Sequence, residues 1–223
     1  MRGGVGAVVM DADGVRARLE ELRHRRVDTL AVETLPIVLR EAAVLLLLWE
    51  QYGEAWLALT RRGAALRTHA GDVALPGGVC EPGETAADAA LREAVEEIGI
   101  DLRQTTVMGR LDDAWSSAGH RIVPVVAWHF GVPQFRVDGI EVAEVIEIVV
   151  PELADPANHD VQTVPLGAID YTDDVLRCSG VTIVGLTADI VIDLVQWLDG
   201  RDRRRVPARL QGLQYLVEIG RVK

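Results

Sequence analysis

The chain has 223 residues, with Lys+Arg 23 against Asp+Glu 34 and a formal net charge of −11. That acidity argues against general nucleic-acid binding, which needs a Lys/Arg surface to neutralise phosphates. With 49% apolar and 26% charged residues, and only 21 Gly and 9 Pro, the composition is that of a globular chain with enough core to fold alone. Cys80 and Cys178 match neither a disulfide framework nor a zinc motif and read as reduced thiols. The apolar start, Met1 to Met10, runs into Asp11 and Asp13 and is too short for a signal peptide. Ala42–Trp49 is the longest apolar run, far below the roughly 20 residues of a membrane span. A cytoplasmic protein without a membrane partner is expected.

In chain order, Gly14 to Arg26 has helical spacing at Val15, Leu19 and Leu22 and closes on Arg23-His24-Arg25-Arg26, a solvated helix end. Leu35–Leu39 is a short apolar segment. Ala42–Trp49 and Ala55–Thr60 read as a hairpin or two adjacent strands, with Gly53 in the connection. Arg61–Gly78 is loop-like. A helix is expected from about Thr85 to Ile98, stopped by Gly99. Thr106–Leu111, Ile122–Phe130 and Glu144–Val150 are Val/Ile-rich strands. Pro133–Gly139 is a loop, Leu153–Val164 irregular, and Val181–Val184 a short strand. Leu186–Leu198 is a helix stopped by Gly200. The Arg201–Arg205 run is a charged linker, and Ala208–Ile219 is a weakly amphipathic segment that packs back or mediates a homodimer. His24, His120, His129 and His159 read as structural or exposed, and Trp115 and Trp128 as core or rim.

The chemistry concentrates between Gly78 and Ile100. Glu93, Glu96 and Glu97 lie at i, i+3 and i+4, so they share one helix face. Leu91, Val95 and Ile98 share another, expected to dock on a sheet. Three like charges on one face destabilise an isolated helix, and Arg92, four residues from Glu96, cannot balance all three. A hard divalent cation with oxygen ligands would balance them. The triplet alone reads more readily as a solvated acidic face than as a metal site.

The triplet sits inside a segment that resembles the Nudix hydrolase signature, G-x5-E-x7-R-E-U-x-E-E-x-G-U, where U is a bulky apolar residue. Gly78, Glu84, Arg92, Glu93, Glu96, Glu97 and Gly99 occupy all seven fixed positions, with Ala94 and Ile100 at the U positions. A chance match at seven positions has a frequency on the order of 10⁻⁸. The resemblance implies an α/β fold, an α/β/α sandwich around a mixed β-sheet, with the signature forming loop–helix–loop. It would span residues 31–200, between a helical N-terminal extension (1–30) and a C-terminal extension (201–223). It implies Mg²⁺ or Mn²⁺ as cofactor, held chiefly by Glu93 and Glu97, with Glu96 and a backbone carbonyl near Gly77 or Gly78. Arg92 would orient a glutamate, and Glu84 would add a further carboxylate. Glu141 and Glu144, outside the signature, are the candidates for general base. The ion would lower the pKa of bound water and neutralise phosphoryl charge.

The upstream stretch Leu57-Ala58-Leu59-Thr60-Arg61-Arg62 through Leu66-Arg67-Thr68-His69-Ala70-Gly71 to Leu75-Pro76-Gly77-Gly78 resembles the extended motif of the coenzyme A diphosphatase branch. Pro124-Val125-Val126-Ala127, Glu141-Val142-Ala143-Glu144-Val145 and Gly185-Leu186-Thr187-Ala188 resemble further segments of that branch. Departures at Gly63, Leu75, Val184 and Ile148–Leu153 do not touch the metal set. Arg61, Arg62, Arg67 and His69 form a basic cluster whose guanidinium forks suit phosphate oxygens. The resemblance implies metal-dependent hydrolysis of coenzyme A or its acyl derivatives, giving 3′,5′-ADP and (acyl-)4′-phosphopantetheine. The alternatives are a Nudix hydrolase of ADP-ribose, NADH or a nucleoside triphosphate, and a Nudix domain that senses a nucleotide without cleaving it.

Overall fold

The structure is a computed structural model and describes residues 10–25, 39–65, 68–116, 118–166, 169–201, 217 and 220. Residues 35–38 of the short apolar segment, the charged linker after Arg201 and nearly all of the 208–219 segment lie outside these. The elements run α1 (Ala12–Glu21), β1 (Arg40–Gln51), β2 (Glu54–Arg62), β3 (Val73–Ala74), β4 (Gly77–Val79), α2 (Ala86–Ile98), β5 (Thr105–Arg110), β6 (Ala114–Ser116) and β7 (His120–His129). They continue with β8 (Val142–Val149), α3 (Val150–Ala154), β9 (His159–Leu166), β10 (Ile169–Cys178), β11 (Val181–Val184) and α4 (Gly185–Leu198).

The apolar run becomes the central strand. One edge of β1 pairs in parallel with β7 over Arg40↔His120 to Trp49↔His129, and β5 and β6 add antiparallel to β7. β2 follows β1 through a tight turn in which Tyr52 and Gly53 both have positive φ, as the twist of a two-residue hairpin requires. The hairpin pairs only at Leu48–Gln51 with Glu54–Leu57. Beyond that β2 leaves β1 and pairs with β8 on its outer edge and β3 at its end. The edge of β1 that β2 vacates is taken by β4, with Ala42↔Val79 and Val44↔Gly77, and by the Leu45 N–H bond to Pro76 O (2.8 Å). A mixed sheet with a loop inserted in a split between two strands is the result.

Alternation along β1 sends Leu46 and Leu48 to one face, packed with Val15, Leu19, Leu153, Val191 and Leu194 of α1, α3 and α4. Leu45, Leu47 and Trp49 go to the other face, against Ala89, Ala90, Ala94 and Ile98 of α2. The fold is therefore the expected α/β/α sandwich. Its α1 side is fastened by a buried ion pair, Arg25 Nη1 and Nη2 to Asp112 Oδ1 and Oδ2 at 2.8 and 3.0 Å. Arg18 and Arg25 also lie over the Trp197 ring, 4.7 and 5.3 Å from its centroid. Arg25 thus departs from the expected solvated helix end.

Three expectations need correction. The 61–78 stretch contains β3 and β4, because its backbone completes the ladder that β2 abandons. Leu153–Val164 is not irregular: α3 ends in it and β9 begins in it, pairing with β10 and through it β11 as a second antiparallel sheet. The docking face of α2 includes Ile98, with Leu91 packed at its margin, but not Val95. Ala90, Ala94, Glu97 and Ile98 are buried, while Val95 is exposed. The small alanines let the helix approach the strands closely, which outweighs the larger side chains on the neighbouring stripe.

Candidate active site

The signature helix starts on Thr85, whose hydroxyl accepts the Asp88 N–H (3.2 Å), and stops at Gly99 with φ +69, a left-handed C-cap. Between these caps the acidic face divides. Arg92 gathers three carboxylates. Its Nε and Nη2 bind Glu84 Oε1 and Oε2 at 2.9 and 3.1 Å, and Nη1 meets Glu93 Oε1 at 2.8 Å and Glu96 Oε2 at 3.4 Å. Nη2 also donates to Val79 O (3.2 Å), so the guanidinium is tied to β4. Glu84 is held below its ordinary pKa by the Arg92 hydrogen bonds first and the Glu81 N–H second. Those same glutamates make Arg92 hold its proton more tightly than usual.

Glu97 is the carboxylate Arg92 does not serve. It is 9% exposed, and its Oε2 accepts the Gly77 N–H at 3.0 Å. Burial pushes its pKa up to about 7. The negative charges of Glu93 and Glu141 push the same way, while the Gly77 N–H and the Arg62 charge pull it down. Gly77 and Gly78 are required by contact: a Cβ on Gly77 would overlap the Ala43 carbonyl, and one on Gly78 the Glu93 carboxylate. The β1–β4 ladder therefore presents two bare peptides to two glutamates.

The described members of the basic cluster have separate partners. Arg61 Nε bonds Glu144 Oε1 at 2.6 Å, across the β2–β8 pair that places the two residues opposite each other. Arg62, half-buried, bears electrostatically on Glu97, and its buried Nε has no hydrogen-bond partner among the described residues. His69 is in the left-handed region (φ 55), with a 74% exposed ring whose Nδ1 pairs with Asp72 Oδ2 at 2.9 Å. Arg67 lies outside the described residues. Glu141 comes to the site from the turn before β8, its carbonyl accepting the Gly63 N–H at 2.9 Å. Of the other histidines, His129 pairs with Thr105 and His159 with the Leu153 carbonyl, as structural residues do. Sequence reasoning missed Asp138, whose Oδ1 accepts the N–H groups of Ile140, Glu141 and Val142. The Asp138-Gly139 pair, a turn signal, could have flagged it.

The donors fit a hard divalent cation: oxygen ligands only, one of them a buried carboxylate that accepts the Gly77 N–H beside a second negative charge. Among the described residues no three acidic, His or Cys side chains already close on one point, since Glu93 and Glu96 are turned to Arg92.

Residues 39–171, more than half of the chain, match the family model of the NUDIX domain. The chain belongs to the Nudix family. Among curated relatives, the Nudix hydrolase NudL of Photorhabdus laumondii is 35% identical over 141 residues, 63% of this chain and 75% of its own. NudL of Yersinia enterocolitica is 34% identical over 144 residues, 64% and 74% of the two chains. Similar solved structures include the Nudix hydrolase RenU of M. smegmatis (28% identity, TM-score 0.44, 52% of this chain and 74% of that one). Another is a Nudix hydrolase of Alicyclobacillus acidocaldarius (16% identity, TM-score 0.48, 74% and 94%). This Nudix protein is a hydrolase of phosphorus anhydrides. Nudix hydrolases are generally divalent-metal dependent. No described helix is long and apolar enough to cross a membrane.

Proposed function

We propose that this Nudix hydrolase cleaves the diphosphate of coenzyme A or its acyl derivatives, releasing 3′,5′-ADP and (acyl-)4′-phosphopantetheine, with Mg²⁺ or Mn²⁺ at the helix glutamates. The observation that carries the reaction is Glu97, a buried carboxylate under the charge of Glu93, with no basic side chain bonded to it among the described residues. Glu93 and Glu97, with Glu96 and the Gly78 carbonyl, would hold the ion. When bound, it would polarise the phosphoryl oxygens and acidify water.

The chain's own residues do the rest. Arg92 orients Glu93 and ties Glu84 and Glu96 into one hydrogen-bonded group. Arg62, half-buried beside Glu97, would bring its guanidinium to a phosphate oxygen. Arg61 adds positive charge at the same strand end, and Gly77 and Gly78 admit the diphosphate close to the backbone. Arg67 and His69, which fall between β2 and β3 in the sequence, are assigned to the 3′-phosphate of the substrate. Glu141 takes the proton from the attacking water; Glu144 is committed to Arg61 and serves to orient it.

The coenzyme A assignment is supported by the extended motif over residues 57–78, which leads straight into the signature. A cytoplasmic protein with the Nudix domain at residues 31–200 completes the reading. Its test is a substrate panel with Mg²⁺ or Mn²⁺, products being separated by chromatography. Cleavage of coenzyme A to 3′,5′-ADP is expected. Cleavage of ADP-ribose, NADH or nucleoside triphosphates with coenzyme A untouched would overturn the substrate. No cleavage, with a nucleotide raising the melting temperature, would favour a sensor.

A further inference from the structure

We propose that Asp138 is a positioning residue for hydrolysis, holding the Ile140–Glu141 turn against the end of β2 so that the Glu141 carboxylate stays beside the signature helix. The inference rests on the reading of Glu141 as proton acceptor.

The ladder does not fix this turn. The β2–β8 register breaks between Arg61, opposite Glu144, and Arg62, opposite Val142. A bulge of this kind re-aims side chains and ends regular pairing. Asp138 supplies what the ladder lacks. A single oxygen, Oδ1, accepts the N–H of Ile140 at 2.9 Å, of Glu141 at 3.1 Å and of Val142 at 3.4 Å. Gly139, at φ +74, closes the turn by donating its N–H to Val142 O at 3.1 Å. Bonds to an ionised acceptor are stronger than neutral ones.

The turn so formed docks on Gly63, the residue after Arg62. Gly63 N–H bonds Glu141 O, and the Ile140 carbonyl occupies the space that a Cβ on Gly63 would need. Upstream, the same segment is pinned to the signature helix. Arg136 N–H bonds Ile98 O at 2.9 Å, and the Phe135 ring meets Trp49 edge-on at 5.6 Å. Residues 135–142 thus form a strap from the C-terminal end of α2 to the end of β2. Glu141 sits at the β2 end, next to Gly63 and Arg62, and its charge acts on Glu97 of the helix at the other end. A reacting group misplaced by an ångström loses much of its rate, so the clamp on the strap belongs to the catalytic geometry.

The test compares Asp138→Asn, which keeps an Oδ1 acceptor, with Asp138→Ala, which removes it, alone and combined with Glu141→Gln. Amide hydrogen exchange at residues 140–142, melting temperature, kcat and KM are measured on the intact protein. For Asp138→Ala we expect fast amide exchange, kcat reduced about tenfold or more with little change in KM, and no further loss in the Glu141→Gln background. Asp138→Asn is expected to keep kcat within about threefold. Losses that multiply in the double variant, an Asn variant as impaired as Ala, or unchanged exchange in the Ala variant would each overturn the proposal. Full activity of Glu141→Gln would instead refute the proton-acceptor reading. If no substrate of the panel is cleaved, the exchange experiment still decides whether Asp138 holds the turn.

Discussion

Glu97→Gln should make the metal-free protein more stable and inactive at once. Glutamine keeps an oxygen for the Gly77 N–H and removes the buried charge. The Glu97 pKa moves from 4.5 to about 7 on folding, with burial the largest cause. Between those values the folded chain holds a proton that the unfolded chain has released, so ionisation opposes folding. The penalty is absent below about pH 4.5, grows through the interval and is complete above pH 7. At about 1.4 kcal/mol per tenfold, the displacement is worth about 3 kcal/mol. For a chain of this size that is a rise in Tm of roughly 6–12 °C. The assay is denaturant unfolding in chelator at pH 5 and pH 8, wild type against variant, with turnover measured in Mg²⁺. Gln should gain stability at pH 8, gain little at pH 5 and lose turnover. An equal gain at both pH values, or none at pH 8, refutes the argument that a buried charge is being relieved.

Adding Mg²⁺ or Mn²⁺ at pH 8 should raise the wild-type Tm, since a ligand at 100 times its Kd adds about 2.7 kcal/mol, and calorimetry should find the gain much smaller in Glu97→Gln. Gly78→Ala should fold, because the Glu93 side chain can swing away, yet lose on the order of 100-fold in kcat; melting and steady-state kinetics together check this. Arg92→Lys keeps the charge but cannot fork onto Glu84 while reaching Glu93, so kcat should fall roughly 10- to 100-fold, with Tm changing less than in Arg92→Ala.

What could be seen in the sequence follows from where its signals were strong. The run Ala42–Trp49 and the caps Thr85 and Gly99 act locally, so β1 and α2 were legible within a residue or two. Of the second sheet, the strand at Val181–Val184 was legible as β11, but β9 and β10 were not. β10 carries Asp170, Thr172, Asp173 and Asp174, and nothing in that pattern alternates. The docking face of α2 was misjudged because Leu91 and Val95 outrank alanines in hydrophobicity, whereas the strands select for close approach. Glu93, Glu96 and Glu97 were legible as a group, but their unequal fates were not. That Arg92 takes two of them and Gly77 the third depends on β4 lying alongside β1. Glu141 and Glu144 could not be told apart, because a register break decides which one Arg61 binds.

The alanine-lined seam between α2 and β1 has a consequence for how the molecule tolerates change. Ala43, Ala89, Ala90 and Ala94 are all fully buried there. On the opposite face the contacts are made by leucines, valines and isoleucines, which can repack around a lost or altered methyl group. Alanines have no rotamers with which to absorb an intruding atom, so any enlargement must move the helix as a body. Because Glu93 and Glu97 ride on that helix while Gly77 and Gly78 ride on the strand pairing of β1, the displacement would be read out first as a mismatch between ligands and backbone. The two sides of one sheet should therefore fail differently under mutation: one loses cohesion, the other loses its chemistry while still folded.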